Sequence, residues 1–293
     1  MPSLRDIKRR IKSVKNTQQI TKAMKVVSAA KLRKAQEEIE KARPYAGKML
    51  GLIESLASKA SPDSHPLLEV RPVKKVGLAL FTSDRGLCGG FNTNLIRRAS
   101  RYMASRDDCE FVLYLVGKRG GEFYKRRTIE IMKSLPIGTR APEYTLAVDV
   151  AGDLTGAFLK EDVDEVQIIF SEFQSALTQV PQTLQILPVS TEAEEGAEEA
   201  PAEEGGAGEY HYEPNENAVL ASLLPKYVEV QIFRALLETS ASEHGARMTA
   251  MDSASKNASE MIDSLTLKYN RLRQAAITKE LMEIIGGAEA LKD

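Results

Sequence analysis

The stretch FTSDRGLCGGFNTN, from Phe81 to Asn94, is where residue types and spacing come nearest to doing chemistry. It follows an apolar run and precedes a helical pattern, and its three glycines stand where many proteins cradle a phosphate at a helix N-terminus. A Walker-type loop ends in Gly-Lys-Ser/Thr, so that the lysine reaches the phosphates and the hydroxyl reaches magnesium. Neither residue is present. A dinucleotide loop spaces its glycines G-x-G-x-x-G, whereas these stand at 86, 89 and 90, and Asp84 would repel an anion. Arg85 and a helix N-terminus capped by Asn92 or Asn94 leave room for a weak anion site only. The favoured reading is a tight strand-to-helix turn in which glycine supplies positive φ.

The other reactive residue types are equally unpromising. Cys88 would need a base and an electropositive setting to act as a nucleophile, and no histidine lies nearby in sequence. It reads as a small packed residue. Two cysteines, Cys88 and Cys109, and three scattered histidines, His65, His211 and His244, give neither a disulfide framework nor a zinc spacing. The acidic pairs Asp107–Asp108 and Asp162–Asp164 read as solvated loop charges. We expect no catalytic residue, no cofactor and no metal, in a reducing compartment.

The elements that would position these residues are more telling. Apolar residues fall at Leu4, Ile7, Ile11 and Val14, and after the polar NTQQ at Ile20, Met24 and Val27. A second seam runs Leu32, Ala35, Ile39, Ala42, Ala46, Met49, Ile53, Leu56, alternating by three and four as in a coiled coil. A helix over 4–57 would be roughly 80 Å long, with a kink or break near Arg43 because proline at 44 removes a donor and clashes one turn back. Its partner must be long too, and the candidate is the segment from Glu216 to about Ile285. There TSASEHGARMTAMDSASKNASEM is rich in Ala, Ser and Gly, which let helices approach closely, as do the small residues of VVSAAKLRKA at 26–35. We pair the two ends as a long antiparallel coiled coil.

Between them, β-rich runs at Val76–Phe81, Phe111–Val116, Val166–Phe170 and Thr183–Leu187 alternate with helical stretches near 94–105, 118–127 and 143–160. Continuous apolar strands separated by helices predict a mainly parallel sheet covered on both faces. The expected organisation is therefore an α/β protein: an N-terminal shaft helix over 1–58, a central α/β domain over 70–190, a disordered acidic linker over 191–209 and a C-terminal segment over 210–293. The linker has no core-forming residue to offset its ordering entropy.

Charge divides the chain sharply. The net charge is −1, yet residues 1–36 hold eleven Lys/Arg against the single acid Asp6, and residues 191–216 hold ten Glu and no Lys or Arg. Without that acidic block the remainder carries about +9, which points to an acidic partner. No run approaches the ~18 apolar residues of a membrane span, and the start MPSLRDIKRRIK lacks the apolar core of a secretory signal.

Four motifs, IKSVKNTQQITKAMKVVSAAKLRKAQ, SDRGLCGGFN, YHYEP and YNRLRQAAITKELMEIIGGAEAL, occur in that order and resemble the gamma subunits of F-type ATP synthases. The resemblance covers essentially the whole chain. It implies a central domain that is Rossmann-like in fold but binds no nucleotide, and termini paired as an asymmetric shaft inside a ring of alpha and beta subunits. It further implies a foot on the epsilon subunit and the c-subunit ring, rotation driven by ion flow, and no catalysis by the chain itself. The protein would be peripheral, reaching the cytoplasmic face of the bacterial inner membrane only through the complex. Met24 matches the methionine facing a moving beta loop, with Lys22 and Lys25 adding charge. Arg273, Gln274 and Thr278 match positions that hydrogen-bond a beta subunit at one angle. Leu281, Ile284 and Ile285 match an apolar bearing tip, and Tyr210, Tyr212 and Glu213 match the contact with epsilon and the c ring. The resemblance assigns no role to the acidic stretch, which is either a passive insertion or an element touching a basic surface.

Two rivals remain. The basic N-terminal arm could bind nucleic acid, although the strict helical seam and the lack of interleaved aromatics count against it. An α/β enzyme using the 81–94 turn would bind ATP or NAD on its isolated middle domain.

Overall fold

The computed structural model describes residues 3–57, 65–138, 141–189 and 215–290. The acidic linker expected over 191–209, and Tyr210, Tyr212 and Glu213, lie outside the described residues. The chain divides into two compact units, one of residues 29–246 and one made of both ends, 1–28 with 247–293.

The larger unit is built on five strands, β1 (Lys75–Phe81), β2 (Glu110–Val116), β3 (Glu130–Leu135), β4 (Glu165–Phe173) and β5 (Gln179–Leu187), in the order β3-β2-β1-β4-β5. β1, β2, β3 and β4 run parallel, and β5 turns back antiparallel on β4. The apolar runs lie in the central strands, where both faces are covered: Leu78, Leu80, Leu113 and Leu115 face one core, Ala79, Phe81, Val112 and Tyr114 the other. Helices α2 (Phe91–Ala104) and α3 (Lys118–Tyr124) cover the first face through Phe91, Leu95, Ala99 and Tyr124. The second face is covered by α4 (Tyr144–Leu159) together with parts of two long helices, α1 (Leu4–Ala57) and α5 (Glu216–Ala290). Leu220, Leu224, Val228, Ile232 and Leu236 of α5 and Met49 of α1 enter this core.

Four sequence expectations need correction here. Strand β3 is not among the expected strands: EIMKSL leaves half of its positions open, as an edge strand does, and carries no continuous apolar run. β5 begins at Gln179, four residues early, because Pro181 is tolerated on an edge strand whose outer side has no ladder partner. Of the kink or break expected near Arg43, the break is absent: α1 continues as one helix through Pro44. A proline removes one helical hydrogen bond, and Ile39 and Met49, buried on either side, anchor the flanking turns. Finally, the first seam of α1 holds at Leu4, Ile7, Ile11, Val14 and Met24, which are buried or half-buried, and fails at Ile20 and Val27, which are 59% and 56% exposed; Gln18, Thr21, Lys25 and Ser28 are buried or half-buried as well. Of the second seam, Leu32, Ala35, Ile39 and Met49 are buried.

In the smaller unit the two chain ends pair. Thr21 and Ser255 share a hydroxyl–hydroxyl bond of 2.6 Å, and Lys25 Nζ lies 2.6 Å from Asp252 Oδ1. Four residues forward on α1 match three backward on α5, so the helices run antiparallel here. α1 starts where it does because Ser3 and Asp6 cap each other reciprocally: the Asp6 amide donates to Ser3 Oγ and the Ser3 amide and hydroxyl donate to Asp6 Oδ2. These bonds to Ser3 hold the Asp6 carboxyl below its usual range.

Candidate functional site

The glycine turn is closed by the chain's own side chains. Asp84 accepts from the backbone amides of Lys118 (2.9 Å), Ile137 (3.3 Å) and Gly138 (2.8 Å), so a resident carboxylate holds the donors an anion would need. Asn92 turns back to the strand end instead of capping a helix: its Oδ1 accepts from the Ser83 amide at 2.9 Å and its Nδ2 donates to Ser83 Oγ at 2.8 Å. α2 begins at Phe91 after Gly90, with no side-chain cap, contrary to the capping role expected of Asn92 or Asn94. Cys88 is buried 3.2 Å from Asn92 Nδ2 and packs in the α2–α3 core, as a small apolar residue would. Of the three glycines only Gly89 has a positive φ, at 58°, and Leu87 takes 63° beside it. The glycine that geometry demands lies elsewhere: at Gly117, φ 102°, a Cβ would sit 2.0 Å from the Thr82 carbonyl oxygen.

The second place where an open α/β sheet binds a nucleotide is the crevice at the carboxyl ends of the strands, where strand order reverses, here between β1 and β4. α5 covers the β4 end of it. Glu238 Oε2 accepts from the Phe173 amide at 2.8 Å and Ser242 Oγ donates to the Ser171 carbonyl at 3.1 Å. Gly245 packs so closely that an added Cβ would meet the Phe173 ring at 3.3 Å. In this Rossmann-like strand order, a helix of the same chain packs on the carboxyl end of β4.

Two polar clusters brace the sheet, and the sequence gives no local hint of either, because their members come from distant segments. Buried Glu165 at the start of β4 accepts from Arg106 Nη1 and Gln167 Nε2, both at 2.7 Å. The Glu165 hydrogen bond is the main reason the Arg106 guanidinium holds its proton even more firmly than usual. Asp153 on α4 accepts from Tyr114 (2.5 Å) and Lys133 (2.6 Å). Burial pushes the Asp153 carboxyl up, and the bonds to Lys133 and Tyr114 outweigh it to leave it below its ordinary range. No group of three His, Cys, Asp or Glu able to hold a metal occurs among the described residues.

The residues singled out on the two ends all fall in the smaller unit, on α1 and α5. Lys22 is exposed, whereas Met24 and Lys25 are half-buried. Lys25 is held by Asp252, which also takes Lys256 at 2.9 Å, and these two lysines keep the Asp252 carboxyl below its usual range. Arg273, Gln274 and Thr278 are all exposed on α5, within two turns of one another. The Thr278 hydroxyl donates to the Gln274 carbonyl at 2.9 Å, which fixes its rotamer and leaves its oxygen to accept. Leu281, Ile284 and Ile285 are 54%, 67% and 60% exposed, with Met282 beside them at 63%. Sequence reading missed Ile20, Val26 and Val27, an exposed apolar group around Lys22; their spacing signalled a helix without saying which side was buried.

A family model described as ATP synthase matches residues 3–291. The chain is 51% identical over 291 residues to the ATP synthase gamma chain of Heliobacterium modesticaldum, covering 99% of this chain and all of that one. It is 52% identical over 295 residues to the ATP synthase gamma chain of Trichlorobacter lovleyi, covering both chains entirely. Among solved structures, a chain of the Euglena gracilis mitochondrial ATP synthase, from a structure of OSCP, F1 and c-ring in one rotational state, is similar with a TM-score of 0.69 at 22% identity, over 98% of this chain and 94% of that one. A chain of the Tetrahymena thermophila mitochondrial ATP synthase central stalk and c-ring gives 0.60 at 24% identity, over 80% and 99%. The structural likenesses show the fold. The nucleic-acid reading of the basic arm finds no support among these relatives.

Proposed function

Because this chain belongs to the ATP synthase gamma chain family, we infer that it is the central rotor shaft of an F-type ATP synthase. It couples ion-driven rotation of a c-subunit ring to ATP synthesis or hydrolysis at the beta subunits. The observation that carries this reading is the antiparallel pairing of the two chain ends through Thr21–Ser255 and Lys25–Asp252. A coupling shaft must resist twist, and two helices tied side by side resist it better than one.

The chain itself forms and breaks no bonds of ATP. Support comes from the closed glycine turn and from α5 over the β4 end of the sheet crevice. Lys22, Met24 and Lys25 face a beta subunit, and Arg273, Gln274 and Thr278 form a directional catch for one rotor angle. Their exposure on α5 fits groups that meet a partner's polar atoms. Leu281, Ile284 and Ile285 turn in an apolar sleeve, where contacts are non-directional and favour no angle. Tyr210, Tyr212 and Glu213 meet the epsilon subunit and the c ring. The alpha and beta subunits complete the list of partners. The protein is peripheral on the cytoplasmic face of a bacterial inner membrane, which agrees with the absence, among the described residues, of any helix long and apolar enough to cross one.

Reconstitution tests this. The purified chain should hydrolyse no ATP alone and should restore rotation-coupled activity when mixed with cognate alpha and beta subunits. Failure to restore activity, or ATPase activity in the isolated chain, overturns the reading.

A further inference from the structure

α5 serves two units at once. Its residues 216–246 belong to the α/β unit, and beyond them the same helix runs on without a break to Ala290 in the terminal unit. Torque that passes along this helix must be resisted where α5 lies on the sheet. Its apolar contacts there, through Leu224, Val228, Ile232 and Leu236, give grip without direction, because burial of apolar area changes little as a helix turns or slides. Polar side chains add the direction. On one flank the Tyr144 hydroxyl of α4 donates to Glu229 Oε2 at 2.6 Å, and the Tyr144 ring stands edge-on to Phe233 with 5.4 Å between centroids. On the other flank Glu238 Oε2 accepts from the Phe173 amide at 2.8 Å and Ser242 Oγ donates to the Ser171 carbonyl at 3.1 Å.

At ~100° per residue, Glu229 and Glu238 stand ~180° apart around the helix, with the buried seam of Val228, Ile232 and Ala235 between them. α5 is thus held from two opposite sides, so a twist that eased one flank would strain the other. The β4 flank also fixes the position along the axis. Glu238 and Ser242 are one turn apart, ~6 Å, while Phe173 and Ser171 are ~7 Å apart along the strand. Both bonds therefore close together in one register, and a shift of one residue breaks both. Gly245 on the same face permits the close approach, because an added Cβ there would lie 3.3 Å from the Phe173 ring and 3.4 Å from Ala176 Cα. Glu238 and Ser242 are 4% and 0% exposed, so water does not compete for either bond.

Resting on the reading of this chain as a rotor shaft, we propose that Tyr144, Glu229, Glu238 and Ser242 form a two-sided clamp that locks α5 onto the α/β unit and passes torque between that unit and the shaft. They are positioning residues. They act on the beta subunits only through the helix they hold, by keeping its rotation about its own axis tied to that of the sheet.

The stiffness of this link is measurable in the assembled complex of the full chain with its alpha and beta subunits. The ring is fixed to glass, and a bead is carried on the α/β unit at exposed position 126 through Arg126→Cys, in a Cys109→Ser background. ATP should turn the wild-type bead; once ATP is removed, the angular variance of the bead varies inversely with torsional stiffness. Tyr144→Phe combined with Ser242→Ala takes one hydroxyl from each flank and keeps the packing, and it should raise the variance by about twofold, since hydrogen bonds resist displacement directionally. ATP hydrolysis with no load on the bead should stay at the wild-type rate. Glu238→Leu should also raise the variance, whereas Glu238→Gln, whose side-chain carbonyl accepts the same amide, should keep it at the wild-type value. A role in folding alone would move the urea midpoint of the chain and leave the variance of the assembled complex where it was. Wild-type variance in the Tyr144→Phe, Ser242→Ala complex, or equal variance in Glu238→Leu and Glu238→Gln, would overturn the clamp while the shaft reading stands. Should Glu238→Leu fail to assemble, the hydroxyl pair decides by itself. A wild-type bead that ATP does not turn would sink the shaft reading and the clamp with it.

Discussion

In the α/β unit the largest fully buried side chains are Tyr114, Tyr124, Phe81 and Phe158, packed with leucines on both sides of the sheet. In the unit made of the two chain ends the buried positions are Ile7, Thr21, Ser28, Arg247, Met251, Ser255 and Ala258. Ile7 and Met251 are the large apolar residues among them. Ten of the sixteen exposed large hydrophobics among the described residues belong to it, from Ile20 to Ile285. One unit packs its large apolar side chains inside; the other leaves many of its own exposed. Burial at ~25 cal/mol per Å² thus stabilises the first far more than the second. The pairing of the ends relies on close approach and on hydroxyl and ion-pair contacts.

The sharpest way to break this contrast is at the backbone of the α/β unit. Gly117→Ala should cost about 4 kcal/mol or more, since its Cβ would lie 2.0 Å from a carbonyl oxygen at a φ of 102°. Urea unfolding of the full chain measures it, and an unchanged midpoint would contradict the geometry. Next in size, Leu154→Ala should cost about 2–5 kcal/mol, because Leu154 is fully buried between α4 and the sheet. Met251→Ala, although Met251 is 5% exposed, should cost less than half as much as Leu154→Ala. Equal losses would mean that the pairing of the ends is an ordinary apolar core after all.

On the proposed reading, the contrast in the assembled enzyme is one of directional against diffuse contacts. Arg273→Ala with Gln274→Ala should lower coupled turnover by about tenfold, equivalent to ~1.4 kcal/mol, while removing a few residues after Ile285 should be tolerated better. Comparable and severe loss from both would dissolve the division between catch and bearing.

How much of this was open to sequence reading follows from the same contrast. The central strands announce themselves, since a strand buried on both faces must be apolar throughout, and VGLALF and FVLYLV are. The long helices are equally plain from their period. What failed is what depends on a partner remote in sequence. EIMKSL becomes a strand only because β2 offers it an edge, and Asp84 closes the turn only because Lys118, Ile137 and Gly138 are folded over it. The buried side of α1 was misread around Ile20 and Val27 because apolar residues were assumed to face the paired helix. There the polar Thr21 meets Ser255 of α5, and Ser28 is buried while Val27 beside it is exposed. The contact residues on the ends came from family resemblance. No pattern within this sequence singles out Arg273 or Thr278.

Two carboxylates extend the comparison to pH with the smallest effect. Asp153, in the α/β unit, and Asp252, in the terminal unit, are both held below the ordinary value of 3.8 in the folded chain. A depressed folded value means that the unfolded chain binds the proton more readily. The stabilisation is therefore complete above pH ~4 and is lost as pH falls through the folded value. For Asp153, about a third exposed, the contribution is about 1 kcal/mol or less after solvent screening. Asp153→Asn should flatten the acid limb of the stability curve in both low and high salt, because Tyr114 brings a neutral, buried ring to the same carboxylate. Asp252 has only Lys25 and Lys256 to hold it at the surface, so Asp252→Asn should flatten the limb in low salt and leave it unchanged in high salt. Urea midpoints between pH 5 and pH 2 at two ionic strengths separate the cases. Asp252 and Asp153 are about equally exposed, at 32% and 35%, so a salt-independent contribution from Asp252 would mean that its lysines act through direct hydrogen bonds and would make the two units more alike than their cores are.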